Sequence, residues 1–163
     1  YKRQQAGMVV GKEVLVSRLA RHPLARAVRI DKLNMAALNA TLLHYLRGEA
    51  ESEIPIWRMI SAPIEEVRKR ATRWKSKLEY PAEVGRGRAA IGGGSLPGET
   101  LPSWVLSLDC KETGAEEVMR RLRESRTPVV ARIDEGRVLL DPRTVLPEED
   151  GPLLEALRSA VSC

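Results

Sequence analysis

The sequence predicts an α/β protein in which helices pack on a small antiparallel sheet. Residues beyond the first third follow the order helix, strand, strand, helix, strand, strand, helix, judged by hydrophobic periodicity. This order suits helices laid on one face of an antiparallel sheet. The first third instead predicts one short strand followed by helices. We therefore expect two modules, at residues 1–50 and 51–163.

The composition is that of an ordinary globular protein. The chain has 163 residues, of which 43% are hydrophobic and 30% are charged, so it is long enough to bury a core and is not of the disordered class. Phenylalanine is absent, so the core must consist mainly of Leu, Val, Ile and Ala. The net charge of +5 weakly favours polyanionic partners.

Two further features bear on location. The cysteines, Cys110 and Cys163, form no metal or redox motif, which is typical of free thiols in a reducing compartment. No apolar run has the length of a membrane span, and the start does not have the pattern of a signal peptide. We expect a soluble, cytoplasmic protein without a membrane partner.

The sequence of the first module predicts one strand and two helices. Residues 5–11 resemble a buried strand, residues 12–19 an amphipathic helix that Pro23 ends, and Asp31 the cap of a long helix that stops at Gly48. The apolar strand at 5–11 has no neighbour nearby, so we expect that residue 1 interrupts a longer protein.

The connection to the second module is acidic at residues 49–53 and apolar at 54–60. Pro55 predicts an extended conformation there. Ser61 and Pro63 then begin a helix whose apolar stripe is Ile64, Val67, Ala71, Trp74 and Leu78. Its other face is basic, with Arg68, Lys69, Arg70, Arg73, Lys75 and Lys77. Such a face is usually a solvated surface, and the alternative is that it contacts RNA phosphates.

The sequence pattern of the rest of the second module predicts a four-stranded sheet and two more helices. The strands are expected at residues 83–91, 103–109, 128–133 and 137–141, with a hairpin turn between the last two. Thr113 and Glu116 have the spacing of a capping box, and Asp150 begins the closing helix. The glycine-rich run at 92–97 lacks a P-loop lysine, so a close-packed strand connection is favoured over a phosphate cradle.

Arg26 and Arg29 are the candidate anion-binding residues. They are three positions apart, so they share a side if the segment is helical, and two guanidinium groups can bind a doubly charged anion. The alternative is that one of them pairs with Asp31 or another carboxylate. His22 and His44 lack the partners of a metal site, and no metal is expected; His44 is expected to be exposed or hydrogen-bonded.

Four motifs occur in a fixed order along the chain. They are Gln5-Ala6-Gly7 with the following valines, the segment 22–32 around the two arginines, the segment 54–60, and the glycine-rich run 92–97. Together they resemble the bacterial selenocysteine synthase family, the L-seryl-tRNA(Sec) selenium transferases. The likeness extends from Gln5 to the closing helix.

The resemblance implies the C-terminal part of a fold-type I pyridoxal-phosphate enzyme. Residues 1–50 would end the large cofactor domain, and 51–163 would form the small domain. In the family the Schiff-base lysine lies a few residues before the Gln-Ala-Gly motif, which places it upstream of Tyr1. Lys2 falls where the family has glycine, so it is not assigned. We expect no catalytic residue and no bound pyridoxal phosphate in this chain alone.

For the full-length enzyme the resemblance implies conversion of seryl-tRNA(Sec) to selenocysteinyl-tRNA(Sec) with selenophosphate as selenium donor. Arg26 and Arg29 match the family's paired arginines, which are thought to hold the phosphate of that donor. A homo-oligomer is also implied. Two alternatives stay open: a related pyridoxal-phosphate lyase acting on a small amino acid or amino-sugar acid, and a non-catalytic oligomerisation module.

Overall fold

The computed structural model describes residues 6–91 and 98–162. The chain divides into two compact units, Tyr1–Ile54, called unit 1, and Pro55–Cys163, called unit 2. The glycine-rich run at 92–97, as well as Lys2 and Cys163, lies outside the described residues.

Unit 1 is helical in its described part. Its helices are α1 (Glu13–Arg21), α2 (Leu24–Ala27), α3 (Lys32–Leu46) and α4 (Ala50–Glu53). Asp31 caps α3 as predicted, because its carboxylate accepts hydrogen bonds from the backbone N–H groups of Leu33 and Asn34. Gly48, at φ 70°, follows the end of α3 in the left-handed conformation that glycine adopts most easily. No described residue of unit 1 is buried.

The strand predicted at residues 5–11 is wrong for its described part. Residues 6–11 have no regular structure, and the side chains of Met8, Val9 and Val10 are 65%, 68% and 94% exposed. A strand needs a neighbour to pair its N–H and C=O groups, and no strand in the described part of the chain pairs with this segment. Apolar composition alone therefore did not produce a strand.

The connection between the units is helical rather than extended. The acidic segment forms α4, and the apolar segment predicted to be extended forms α5 (Pro55–Ser61). Pro55 disfavours helix only for the residue before it, and Ile54 is indeed extended. At the first position of a helix, proline is favourable, because its N–H would be unpaired there anyway.

Unit 2 has the predicted order of helices and strands. After α5 come α6 (Ile64–Ser76), β1 (Ala82–Ala90), β2 (Thr100–Leu108), α7 (Ala115–Glu124), β3 (Arg132–Asp134), β4 (Arg137–Leu140) and α8 (Asp150–Val161). The four strands form one antiparallel sheet in the order β1-β2-β4-β3. Two 3₁₀ turns, Pro142–Thr144 and Pro147–Glu149, connect β4 to α8. The α/β class with a small antiparallel sheet is confirmed.

The core of unit 2 joins three helices to the sheet. Trp74 of α6, Leu106 of β2, Leu122 of α7, Val138 of β4 and Leu157 of α8 are all fully buried in one cluster. Burying a side chain of this size stabilises the fold by about 1.5–3 kcal/mol. Unit 2 therefore contains its own hydrophobic core.

Two local details of unit 2 concern turns. The capping box at Thr113 and Glu116 is wrong, because Gly114 occupies the N-cap of α7 with φ 84° and no side chain caps the helix. The predicted hairpin is confirmed, with a two-residue turn in which Glu135 and Gly136 both have positive φ.

In the described ranges 6–91 and 98–162, none of the helices combines the length and the apolar character that crossing a lipid bilayer requires.

Candidate functional site

The two candidate arginines lie in the short segment between α1 and α3. Arg26 is in α2, a single helical turn in which the N–H of Val28 donates to the carbonyl of Leu24 at 3.1 Å. The turn ends at Ala27, so Arg29 lies two residues beyond it. Both arginines are exposed.

Asp31 does not neutralise either arginine. Its carboxylate binds the first turn of α3 through Leu33 and Asn34, with N···O distances of 2.9 Å to both backbone nitrogens. The hydrogen bond from the backbone of Asn34, more than any other contact, lowers the pKa of Asp31. Among the described residues, no carboxylate forms an ion pair with Arg26 or Arg29. Their guanidinium groups are therefore available to an external anion.

Arg29 lines an open groove beside the start of α3. Lys32 and Asp31 line it too, with Ile30, Met35, Ala36 and Asn39. Arg26, on the helical turn just before this segment, is not among the residues that line the groove. Two cations face one carboxylate that is already occupied with helix capping, and this balance attracts an anion.

The described residues of unit 1 do not by themselves fit pyridoxal phosphate. The groove at Arg29 is open, and its one lysine, Lys32, is exposed rather than held in an enclosed pocket. Asp31 is occupied as a helix cap and is not free to pair with a pyridine nitrogen.

The histidine of α3 has a partner within the same unit. His44 Nδ1 lies 2.9 Å from Glu49 Oε1, and this hydrogen bond is the main cause of the lowered pKa of Glu49. The expectation of a hydrogen-bonded His44 is confirmed. In the ranges 6–91 and 98–162, no three His, Cys, Asp or Glu side chains are grouped so as to hold a metal ion.

Sequence reasoning missed the role of Arg70, which it placed on the basic face of α6. Arg70 Nη2 lies 2.6 Å from Asp150 Oδ1, and the same guanidinium donates to the carbonyls of Pro142, Val145 and Leu146. It thus joins α6 to the start of α8 and to the 3₁₀ turns. Its position, three residues after Val67 in the buried stripe, was the signal that it faces inward.

Arg143 is a second arginine that works inside unit 2. Its side chain is buried, and Nη1 donates to the carbonyls of Met59, Ile60 and Ala62, while Nη2 donates to Pro102. These bonds satisfy carbonyl groups at the end of α5 that no helix hydrogen bond reaches. Both arginines therefore hold the fold together and are not available to substrates.

Comparison with known proteins gives a consistent result. The family model described as L-seryl-tRNA selenium transferase matches residues 2–146. A protein of Carboxydothermus hydrogenoformans with the name L-seryl-tRNA(Sec) selenium transferase is 40% identical over 150 residues, which is 89% of this chain and 32% of the relative. Proteins of the same name from Geobacter sulfurreducens and Moorella thermoacetica are 40% and 42% identical, over 97% and 96% of this chain and 36% and 35% of their own lengths. The chain spans about a third of the length of the curated relatives it matches.

Proposed function

The chain belongs to the L-seryl-tRNA selenium transferase family, and on this basis we propose that it works as the C-terminal portion of an enzyme that converts seryl-tRNA(Sec) to selenocysteinyl-tRNA(Sec). The family match over residues 2–146 is the observation that carries this proposal. The reaction uses a charged tRNA, so we also place the protein in the cytoplasm.

We propose that unit 1 belongs to the end of a large cofactor domain of fold-type I and that unit 2 is the small C-terminal domain. Two observations support this division. Unit 2 has its own core, whereas most of the large apolar side chains in the described part of unit 1 are exposed, as they would be if other residues of the enzyme normally covered them. In the full-length enzyme, pyridoxal phosphate supplies an electron sink when bound, and its lysine is expected before Tyr1.

We propose that Arg26 and Arg29 hold the phosphate of selenophosphate. Their guanidinium groups are exposed, and no carboxylate in the described part of the chain pairs with them. A guanidinium offers two parallel N–H donors that match a phosphate, whereas a lysine offers only a point charge. The contribution of these residues would be to place the donor and to balance its charge.

Replacement of each arginine by lysine in the full-length enzyme tests this role. Arg26→Lys and Arg29→Lys keep the charge but lose the planar donors, so we expect selenium transfer to fall about tenfold or more. Absorbance of bound pyridoxal phosphate should stay unchanged. Arg21→Lys, at an exposed position in α1, is the control and should transfer selenium at the normal rate. Normal transfer by both test variants would remove these arginines from the site.

A related pyridoxal-phosphate lyase is the alternative within the enzyme class. Two assays of the full-length protein distinguish these two activities. One supplies seryl-tRNA(Sec) with selenophosphate, and the other supplies small amino acids. Turnover of the free amino acids without selenocysteinyl-tRNA formation would contradict our proposal.

The exposed apolar residues of unit 1 favour a homo-oligomer. Light scattering measures the oligomeric state of this chain and of the full-length protein. A full-length protein that remains monomeric would contradict the proposed homo-oligomer.

A further inference from the structure

A second cationic surface lies on unit 2, in an open groove formed by β1, β2 and the first turn of α6. Arg86 and Arg88 of β1 line it, together with Trp104 of β2 and Glu65 of α6. Register explains why these side chains meet. Arg86 is paired with Trp104, and Arg88 is paired with Pro102. Residues directly opposite each other on antiparallel strands share a face, and so do residues two apart on one strand.

The groove carries more positive than negative charge. Arg68 of α6 lies beside it, and its Nη1 is 3.9 Å from Glu65 Oε2. Arg88 Nε donates to Thr100 Oγ1 at 2.6 Å, which orients the guanidinium without neutralising it. The guanidinium of Arg86 makes no hydrogen bond or ion pair with any described residue. Three guanidinium groups therefore face one carboxylate.

An aromatic ring accompanies these charges. The guanidinium of Arg68 lies over the ring of Trp104, 4.9 Å from its centroid. This contact holds a long side chain in place, since a cation is attracted to the face of an indole. A guanidinium held in this way presents a flat surface on which a nucleobase can stack.

We propose that this groove, defined by Arg68, Arg86, Arg88 and Trp104, binds RNA through its phosphate backbone and one stacked base. The arginines are exposed and spread over helix α6 and strand β1, which suits a polyanion better than a small anion enclosed by converging donors. The aromatic partner favours RNA over an acidic protein segment, which carries charge but no base. The proposal rests on the proposed function, in which the substrate is a tRNA, and it assigns part of the tRNA contact to unit 2.

The test measures binding of a fluorescein-labelled tRNA transcript to the chain by anisotropy across a series of salt concentrations. The groove variant combines Arg68→Gln, Arg86→Gln and Arg88→Gln. The control variant removes the same charge elsewhere on unit 2, through Lys111→Gln, Arg123→Gln and Arg126→Gln, all at exposed positions that do not line the groove.

We expect the groove variant to bind the tRNA with an affinity lower by about tenfold or more. The magnitude of the slope of log K against log salt should fall by about 2 to 3, because each lost phosphate contact removes nearly one released counterion. The control variant should change Kd by less than about twofold, since its charges lie outside the groove. Thermal unfolding checks that both variants are folded. If the groove variant is not folded, Arg86→Gln alone replaces it, because the guanidinium of Arg86 forms no hydrogen bond or ion pair with any described residue, and a measurable loss of RNA affinity is again expected.

Three results would overturn the proposal. Equal weakening by both variants would mean diffuse attraction to a basic surface, and no binding by the unaltered chain would mean that there is no RNA site. Displacement of the tRNA by poly-glutamate as effectively as by unlabelled RNA of the same charge would assign the groove to an acidic protein. This outcome can be distinguished from failure of the proposed function. If a full-length enzyme with the three groove substitutions still transfers selenium and binds tRNA normally, only the assignment of the groove as an RNA site is contradicted.

Discussion

Unit 1 and unit 2 are built from helices that begin and end with similar local signals, but only unit 2 encloses a core. In unit 2, Trp74, Leu106, Leu122 and Leu157 are fully inaccessible to solvent. In unit 1, no described residue is buried, and Leu33 of the long helix α3 is 84% exposed. Local sequence is therefore enough to begin and end a helix, whereas burying its apolar face requires residues from distant parts of the chain.

This difference has an energetic consequence. An isolated helix of about 15 residues is marginal in water, because its nucleation is costly and most helix stability in proteins comes from packing an apolar face. The helices of unit 1, which bury no described residue, should therefore be marginal by themselves, whereas unit 2 holds its helices against its own sheet.

The largest expected effect is that of a core truncation. Leu122→Ala in unit 2 should lower the free energy of unfolding by about 2–5 kcal/mol, through lost burial and the cavity left behind. Leu33→Ala in unit 1 should change it by less than about 0.5 kcal/mol. Urea unfolding measures both variants when it is followed by far-UV circular dichroism, which reports the helices of both units, and by the fluorescence of Trp57, Trp74 and Trp104, which all lie in unit 2. Equal effects would show that the two leucines have similar surroundings.

The next effect is that of the internal arginine. Arg70→Gln removes the ion pair with Asp150 and three hydrogen bonds to carbonyls, and should lower the free energy of unfolding by about 1.5–3 kcal/mol. Arg73→Gln on the exposed side of the same helix is the control and should stay within about 0.5 kcal/mol. If the two variants were equally stable, Arg70 would be an ordinary surface residue.

The smallest effect concerns pH. Hydrogen bonds from Arg120 and then Arg121 lower the pKa of Glu117 on α7 to about 2, against 4.5 for a free glutamate. A lowered pKa in the folded state stabilises the protein above pH 4.5, and this stabilisation is lost as pH falls toward 2. Glu117→Gln should therefore flatten the fall of the thermal midpoint of unit 2 over that interval.

Glu49 provides the matched case in unit 1. Its pKa is also lowered, chiefly by the hydrogen bond with His44. Because it lies outside the core-bearing unit, Glu49→Gln should leave the pH dependence of the unit 2 transition unchanged. A transition that responded to Glu49→Gln and not to Glu117→Gln would reverse the contrast.

The elements of unit 2 were predictable because each combines a strong periodic pattern with a clear stop. The hairpin turn at Gly136 was found where expected. In the predicted stripe of α6, Val67, Ala71 and Trp74 are buried, whereas Ile64 is exposed and Leu78 is buried beyond the end of the helix. The irregular conformation of residues 6–11 was not predictable from their own sequence, since whether an apolar segment becomes a strand depends on a partner strand. Pro55 misled for a different reason: the same residue ends a helix before it and begins one after it.

The candidate site was predictable only in part. Residue types at 26 and 29 pointed to anion binding, and the resemblance to the family gave that anion an identity, but spacing alone did not show that α2 stops at Ala27. The spacing after Val67 indicated that Arg70 faces inward, but it did not identify the partners of Arg70 or place Arg68 over Trp104. Those roles depend on which residues from distant parts of the chain come close, such as Asp150, eighty positions away.

Hydrogen exchange tests the contrast between the units most directly. We predict that in this chain the amides of α6, β2 and α8 exchange only through global unfolding, while those of α1 and α3 exchange at rates close to those of an unfolded peptide. In the full-length protein, α1 and α3 should become protected and unit 2 should be unchanged. Strong protection of α1 and α3 in this chain as a monomer would contradict the account, since unit 1 would then be stable without further residues.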